Sequence, residues 1–168
     1  MAPKPGLSAG TAMPLLVGQH TNKIDRKGRV SVPKQFRDYY QAKGGFSGIY
    51  VYPSPKLAAI EGCDEQFMER VSASLDDLAL FSDEQNDLAA VILGSAHALP
   101  FDPEGRIVLP ADLVAYAGLD SEATFVGRGT TFQIWNPSAY ALRHAEAFER
   151  VRERGATLAL RRGPEVPR

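Results

Sequence analysis

The stretch IDRKGRVSVP, residues 24–33, returns later in the chain as FDPEGRIVLP, residues 101–110. The second copy lies 77 positions after the first, so that Asp102 matches Asp25. Both copies contain an Asp, a Gly-Arg pair, two apolar residues separated by one position, and a closing Pro. A chain of 168 residues therefore contains the same short structural unit twice.

Each copy predicts a tight turn that leads into a strand and then a helix. Asp25 can accept hydrogen bonds from the backbone that follows it, and Gly28 tolerates a positive φ. The alternation over residues 30–32 is typical of a strand with one buried face. Pro33 ends this strand and can begin a helix. We expect that helix over residues 34–43, with its three aromatic residues inward: Phe36, Tyr39 and Tyr40.

The similarity between the halves extends beyond the repeated unit. Residues 49–52 (IYVY) and 132–135 (FQIW) are both β-branched and aromatic, and we match them at an offset of 83. Each half reads as strand, turn, strand, short helix, one or two strands, and long helix. Because a hairpin with one helix cannot bury enough apolar surface alone, we expect both halves to share one barrel-like core.

Further helices follow from the spacing of apolar residues. One is predicted from Leu57 to about Leu75. Ser82 and Gln85 resemble a capping box, which begins a helix that ends near Gly94. A last helix is expected from residue 136 through about residue 154. The residues expected to face inward from the helix after Ser82 are Leu88, Val91 and Ile92.

Composition bounds the class of protein. A hydrophobic content of 44% over 168 residues fits one ordinary domain, or two small halves with a common core. Cys63 is the single cysteine, so no intramolecular disulfide can form, which fits a reducing cytosol. No apolar run approaches the ~20 residues of a membrane span, and residues 1–13 lack the apolar core of a signal peptide. We therefore expect a cytoplasmic protein.

Charge is unevenly distributed, although the formal net charge is only −1. Between Gln19 and Lys43, seven basic residues accompany two acidic ones. Phosphate contacts supply most of the sequence-independent affinity for DNA, and Arg is favoured for guanine edges. A structural interpretation of the same residues remains open, because Asp25 can close a turn and pair with Arg29 as an exposed ion pair of ~0–1 kcal/mol.

An acidic run extends from Glu61 to Asp87. We interpret it as a solvated helical face. The alternative is a surface that repels DNA, or one that contacts the basic residues 150–154 of a neighbouring subunit.

Taken together, the motifs resemble the MraZ family over roughly residues 15–154. They are the two Asp-x-x-Gly-Arg-apolar-x-apolar-Pro copies, the triplet Ala-Gly-Leu at 117–119 and the strand end Ile-Trp at 134–135. The family consists of bacterial transcriptional regulators with two tandem AbrB-like domains. The resemblance implies a β-rich α+β fold, in which two AbrB-like swapped-hairpin repeats form one pseudo-twofold barrel core with flanking helices. The implied domains are a disordered extension (1–14), a first repeat with its helix (15–75), a connecting helix (76–95), a second repeat with the C-terminal helix (96–154) and a flexible tail (155–168).

The resemblance also implies a function. Members form ring-shaped oligomers and bind repeated DNA boxes upstream of their own operon, the division and cell-wall gene cluster. We therefore expect a sequence-specific, nucleoid-associated transcriptional regulator, a repressor, whose partners are double-stranded DNA and further copies of the chain. DNA contact is attributed to the paired Asp-x-x-x-Arg motifs, with basic neighbours on phosphates. The candidate DNA-binding residues are Asp25, Arg26, Lys27, Gly28, Arg29, Lys34, Asp102, Gly105 and Arg106.

The two copies differ at two matching positions, which argues against an equal role in DNA binding. Glu104 occupies the place of Lys27, so the second turn is acidic, and Val114 occupies the place of Arg37 in the helix that follows. The first copy is therefore expected to bind DNA more strongly, while the second contributes more to closing the barrel.

Signals for catalysis are weak. The three histidines show no metal-ligand spacing. Cys63 is expected in an acidic helix, where its thiol pKa would rise, and no phosphate-binding glycine loop is present. We expect no enzymatic activity, cofactor, metal, small-molecule substrate or membrane partner. The alternative function is a protein-interaction module that does not bind DNA, an antitoxin-like AbrB-fold scaffold.

Overall fold

The computed structural model describes residues 15–163 of the chain. The extension expected over residues 1–14 and the last residues of the expected tail, 164–168, lie outside this range. Residues 15–137 form one compact unit, and residues 138–163 belong to a second. In chain order the elements are β1 (Gln19–Lys23), β2 (Arg29–Ser31), α1 (Lys34–Ala42), β3 (Gly48–Pro53), β4 (Ile60–Cys63), α2 (Glu65–Asp76), α3 (Asp83–Ile92), β5 (His97–Pro100), β6 (Arg106–Val108), α4 (Ala111–Tyr116), β7 (Glu122–Gly127), β8 (Phe132–Trp135) and α5 (Pro137–Arg154).

The strands of the first unit form two antiparallel sheets. Six strands join in the order β1-β7-β8-β4-β3-β5, and β2 pairs with β6 as a separate two-stranded ribbon. The β-branched and aromatic residues of β3 and β7 suit a pleated, buried surface. The mixed α+β class expected from the sequence is confirmed.

The two halves exchange strands. β1 of the first half pairs with β7 of the second, and β5 of the second pairs with β3 of the first. Thr21 lies opposite Thr124, and Ala98 lies opposite Tyr50. Because Ala98 follows Thr21 by the repeat offset, Tyr50 is the counterpart of Thr124, and β3 is the counterpart of β7. The expected match of β3 with β8 is therefore wrong, since β8 corresponds to β4.

The core lies between the sheet, the ribbon and the two short helices α1 and α4. Phe36 of α1 is fully buried, and its ring centroid lies 5.5 Å from that of Phe132 and 6.5 Å from that of Phe125. Leu113 of α4 is 1% exposed. Each such side chain contributes about 1.5–3 kcal/mol through burial. The expected inward residues of α1 are confirmed, because all three are buried.

The prediction of a helix from residue 57 is wrong for the residues before Glu65. Residues 60–63 form β4, and α2 begins only at Glu65. Asp64 caps that helix, since its Oδ1 accepts a hydrogen bond from the Phe67 N–H at 2.8 Å. Gly62 allows the Phe132 ring to lie directly against its backbone, where a Cβ would overlap the ring. The helix-like spacing of apolar residues extends into β4 by coincidence. Gly62 and Asp64 are the residues that mark the boundary between this strand and α2.

The cap predicted for α3 is confirmed. Ser82 Oγ accepts a hydrogen bond from the Gln85 N–H at 3.2 Å, while Gln85 Oε1 accepts from the Phe81 N–H at 3.0 Å. The expectation that Val91 faces inward is wrong, because this residue is 39% exposed. Residues 88 and 92 line the face toward α2, and the helical period leaves Val91 on the rim of that face.

The second unit consists of most of α5 and the residues that follow it. Along α5, the ring centroids of Tyr140 and His144 lie 5.5 Å apart, and those of His144 and Phe148 lie 4.9 Å apart. Arg150 and Glu146 form an ion pair of 3.8 Å one turn apart. Within residues 15–163, no helix combines the length and the apolar character that a membrane crossing requires.

Candidate nucleic-acid interface

The first turn is closed by one carboxylate. Asp25 Oδ1 accepts hydrogen bonds from the backbone N–H groups of Lys27 and Arg29, each at 2.9 Å. Its Oδ2 accepts from Arg29 Nε at 2.6 Å. Gly28, at φ +80°, donates its N–H to the Asp25 carbonyl at 3.0 Å. The carboxylate thus fixes both the backbone of the turn and the side chain that leaves it.

The second turn repeats this geometry. Asp102 Oδ1 accepts from the N–H groups of Glu104 at 2.9 Å and of Arg106 at 2.8 Å. Its Oδ2 accepts from Arg106 Nε at 2.8 Å, and Gly105 has φ +77°. The sequence repeat is therefore a repeated Asp-Arg clamp.

Both clamps are electrostatically stable at neutral pH. The Arg29 backbone N–H, with the other hydrogen bonds of the turn, lowers the pKa of Asp25 below its ordinary value. Arg106 does the same for the pKa of Asp102. The hydrogen bond to Asp102, then the charges of Asp102, Glu104 and Asp25, raise the pKa of Arg106. Asp25 belongs to the first turn, and the pairing of β2 with β6 places the two turns at the two ends of one short ribbon.

The ribbon of β2 and β6 brings the two clamped arginines together. Arg29 lies opposite Val108, and Arg106 lies opposite Ser31. Side chains alternate along a strand, so these four residues share one face, opposite the buried central pair of the ribbon. Arg29 and Arg106 are diagonal neighbours on that face, about 7–8 Å apart between backbones. The buried central pair is Val30 and Ile107, each 1% exposed.

The charges of the two turns differ, as the sequence predicts. Arg26 and Lys27 are exposed and form no ion pair within residues 15–163. In the second turn, Glu104 Oε2 lies 3.2 Å from Arg106 Nη2. The carboxylate of Glu104 therefore competes with any anion that would approach Arg106.

The other basic residues between Gln19 and Lys43 are partly neutralised. Lys34, at the start of α1, is exposed and pairs with Asp38 at 2.9 Å. Lys43 pairs with Asp64 at 2.6 Å. The basic residues of this segment that have no carboxylate within 4.0 Å in the described range are Lys23, Arg26, Lys27 and Arg37.

The predicted site residues thus fall into three places. The first turn holds five of them, the second turn holds three, and Lys34 stands apart on α1. The two turns flank opposite ends of the ribbon, because β2 and β6 are antiparallel. One residue was absent from the predicted set although it contacts the second turn. Arg37 of α1 packs against Gly105, and the only signal for it was its replacement by Val114 at the matching position.

Two other expectations are corrected by the structure. The acidic run is not one helical face, because Glu61 lies half-buried in β4, where Gln133 Nε2 donates to it at 2.5 Å. Cys63 also lies in β4 rather than in a helix. Burial, ahead of the charges of Asp64 and Glu61, raises the pKa of its thiol to about 12. Among residues 15–163, no three potential metal-ligating side chains cluster together.

The exchange of strands between the halves and the two Asp-Arg clamps define a β-rich α+β protein in which one turn-strand-helix unit occurs twice. Comparisons with known proteins agree with this class. Residues 92–162 match a family described as "MraZ protein, putative antitoxin-like". The chain is 48% identical to the "Transcriptional regulator MraZ" of Parvibaculum lavamentivorans over 135 residues, which cover 80% of this chain and 83% of that protein. The protein of the same name from Rhodospirillum rubrum is 44% identical, with 79% and 86% covered.

A relative from Rickettsia bellii with the same name is 39% identical and covers 82% of this chain and 91% of its own. Identity at this level over most of both proteins is sufficient for assignment. The chain belongs to the MraZ family.

Proposed function

We propose that this protein is a sequence-specific DNA-binding transcriptional regulator, and that the outer face of the β2–β6 ribbon reads the DNA. The observation that carries the proposal is the pair of clamped arginines on that face. Arg29 and Arg106 lie diagonally across the ribbon, and each is held at Nε by the carboxylate of its own turn. The relatives are named as transcriptional regulators, which supports this class of function.

The ribbon has a shape that suits DNA. The major groove, about 12 Å wide, admits a two-stranded β-ribbon. An arginine reads guanine by donating to O6 and N7. Since the clamp of Arg29 uses Nε, both of its Nη groups stay available for a base edge. The carboxylate holds the side chain in one orientation, which reduces the entropy lost on binding.

The first turn supplies the phosphate contacts. Arg26 and Lys27 protrude beside Arg29 and carry charge that no carboxylate neutralises within the described residues. Such contacts give affinity without sequence information, and they weaken with salt. We propose that the first half makes the stronger contact with DNA, because Glu104 opposes phosphate at the second turn.

Assembly and target belong to the same proposal. We propose that several copies form a ring and bind tandem boxes upstream of their own gene in the division and cell-wall cluster, repressing it at the nucleoid. One ribbon is a small contact surface, and linked copies can raise avidity by about 10²–10⁴. Footprinting on the upstream region tests the location of the boxes.

A second candidate is a protein-interaction module. An apolar groove of about 410 Å³ runs between α2 and α3, and Leu80 and Phe81 beyond α2 are 72% and 82% exposed. These features suit a protein partner. A scaffold of this kind has no need of the basic first turn, so purified protein would carry no nucleic acid and show no salt-dependent binding to duplex DNA.

Substitution of Arg29 by Ala tests the DNA proposal. We expect Arg29→Ala to lower affinity for the upstream duplex by about 5- to 150-fold, the equivalent of one lost guanine contact of about 1–3 kcal/mol. Lys56→Ala is the control, because Lys56 is exposed in the loop between β3 and β4 and belongs to neither turn. Unfolding by urea shows whether Arg29→Ala remains folded. Full affinity in the folded variant would refute the assignment.

A further inference from the structure

The side chain of Arg37 crosses from one half of the protein to the turn of the other. Arg37 leaves α1, which belongs to the first half, and its Nε donates a hydrogen bond to the Val32 carbonyl at 3.0 Å. Its guanidinium lies against Gly105 of the second turn. A Cβ built on Gly105 would lie 2.5 Å from Cζ of Arg37 and closer still to Nη1. The backbone of the second turn therefore has room for this guanidinium only because residue 105 is glycine.

The same contact is tied into the backbone of both halves. The Val32 N–H donates to the Gly105 carbonyl at 3.1 Å. Val32 therefore links the two: its carbonyl accepts from Arg37, and its N–H donates to the second turn. Its guanidinium is half-buried and fixed at the end of the ribbon where Arg106 begins β6.

Arg37 is not neutralised by a carboxylate. It forms no ion pair within the described range of 15–163, and its hydrogen bond to Val32 uses Nε only. Arg106, in contrast, is held by Asp102 at 2.8 Å and approached by Glu104 at 3.2 Å. Within residues 15–163, Arg37 is therefore the arginine at the second turn that no carboxylate neutralises, and its hydrogen bond uses Nε and leaves the Nη groups for an external anion.

The first turn has no equivalent. The counterpart of Arg37 is Val114, as the backbone confirms: the N–H of each donates to the carbonyl of the proline four residues earlier at 3.0 Å, Pro33 for Arg37 and Pro110 for Val114. The first turn carries its own cations, whereas the second turn carries Glu104. The two differences compensate, because each turn ends with basic charge beside its clamped arginine.

We propose that Arg37 binds a DNA backbone phosphate at the second turn, so that this contact is assembled from both halves of the chain. The inference rests on the proposed function. Because Nε and one face of the guanidinium are occupied by protein backbone, the free Nη groups suit a phosphate at the groove edge rather than a base. Contacts of this kind position a protein on DNA without reading sequence.

Salt dependence separates this role from a structural one. Each phosphate contact contributes about 0.9 to the slope of log affinity against log salt concentration. We expect Arg37→Gln to reduce the slope by about 0.9 for each bound protomer. The affinity loss should then be about threefold larger at 50 mM than at 200 mM salt. Arg37→Lys, which keeps the charge, should retain most of the slope.

Two controls keep the result interpretable. Lys56→Gln removes one positive charge that belongs to neither turn and should leave the slope unchanged. Gly105→Ala leaves Arg37 in the chain but displaces its guanidinium, so it should also reduce the slope, which provides a second route if Arg37→Gln fails to fold. A full wild-type slope in folded Arg37→Gln, or in folded Gly105→Ala, overturns the inference.

The same titrations distinguish failure of the underlying function. If Arg29→Ala weakens binding while Arg37→Gln keeps the wild-type slope, the DNA interface stands and only the role of Arg37 is refuted. If the wild-type protein shows no salt-dependent binding to the upstream duplex, the proposed function itself is refuted.

Discussion

Glu61 and Gln133 lie opposite each other where β4 of one half pairs with β8 of the other. Gln133 Nε2 donates to Glu61 Oε1 at 2.5 Å, and Trp135 Nε1 donates to Gln133 Oε1 at 2.9 Å. Burial raises the pKa of Glu61, against the opposing effects of Gln133 and of Arg128. The junction of the two halves therefore contains an acid that holds its proton more tightly in the folded state.

Glu61→Gln should remove a pH dependence of stability. Because the folded pKa exceeds the unfolded one, the folded state binds more protons, and stability falls as pH rises above about 4.5 toward the folded pKa. The Gln variant keeps an acceptor for Gln133, so it should match or exceed wild-type stability at neutral pH. Urea unfolding between about pH 4 and pH 8 measures this. Glu69→Gln, on the exposed face of α2, is the control, and an equal loss of stability at every pH would contradict the prediction.

Asp25→Asn and Asp102→Asn should weaken the acid sensitivity of the fold. The folded pKa of each acid is lowered, so its stabilising contribution is complete above about 3.8 and is lost as pH falls through the folded pKa. The Asn side chain still accepts the backbone N–H bonds but cannot accept from Arg Nε. We expect a shallower fall of the unfolding free energy between about pH 5 and pH 2. Asp38→Asn, an exposed partner of Lys34, should leave that fall unchanged.

The Asn variants should also change DNA binding. Removal of a carboxylate beside phosphate should raise non-specific affinity, while loss of the fixed arginine orientation should lower the ratio of specific to non-specific binding. Competition titrations with cognate and random duplexes measure both quantities. An unchanged ratio would show that the clamp stabilises the turn without orienting Arg29 or Arg106.

Gly105→Ala should destabilise the protein more than Gly28→Ala. Both glycines have positive φ, +77° and +80°, where a non-glycine residue costs about 1–2 kcal/mol. A Cβ on Gly28 would lie 3.2 Å from the Leu109 carbonyl oxygen, a tight contact, whereas a Cβ on Gly105 would overlap Arg37. Thermal unfolding compares the two variants, and equal losses would show that Arg37 moves aside freely.

Glu104→Lys should strengthen DNA binding by making the second turn resemble the first. The side chain of Glu104 is 70% exposed, so folding stability should change little. The substitution removes a negative charge and adds a phosphate-binding cation, and the salt slope should rise by about 0.9 per bound protomer. Charge reversal at Glu69 is the control, and the same gain there would indicate a non-specific charge effect.

Much of the local structure was predictable because it depends on neighbours in sequence. The Asp-x-x-Gly-Arg unit encodes its own turn, since the carboxylate reaches backbone N–H groups two and four residues ahead. Capping at Ser82 and the amphipathic pattern of α1 are equally local. The pairing of Asp25 with Arg29, expected from the sequence as the structural alternative, is present at 2.6 Å and leaves the Arg29 side chain 34% exposed.

The errors arose where long-range pairing decides the structure. Residues 57–63 carry helix-like apolar spacing, yet Ile60 pairs with Ile134 across the junction of the halves, which no local pattern reveals. The match of β3 with β8 was wrong for the same reason. The residue types of β3 resemble those of β8, but the exchange of strands makes β7 its counterpart.

The sequence by itself determined that one turn-strand-helix unit occurs twice and that its first copy is the more basic. Those properties are written in residues close to one another, and short-range hydrogen bonding and charge enforce them. The tertiary structure decided what the two copies do together. Antiparallel pairing of β2 with β6 places Arg29 and Arg106 on one face, and the exchange of strands brings Arg37 against Gly105. Contacts between residues this far apart in sequence form only when both halves bury their common core.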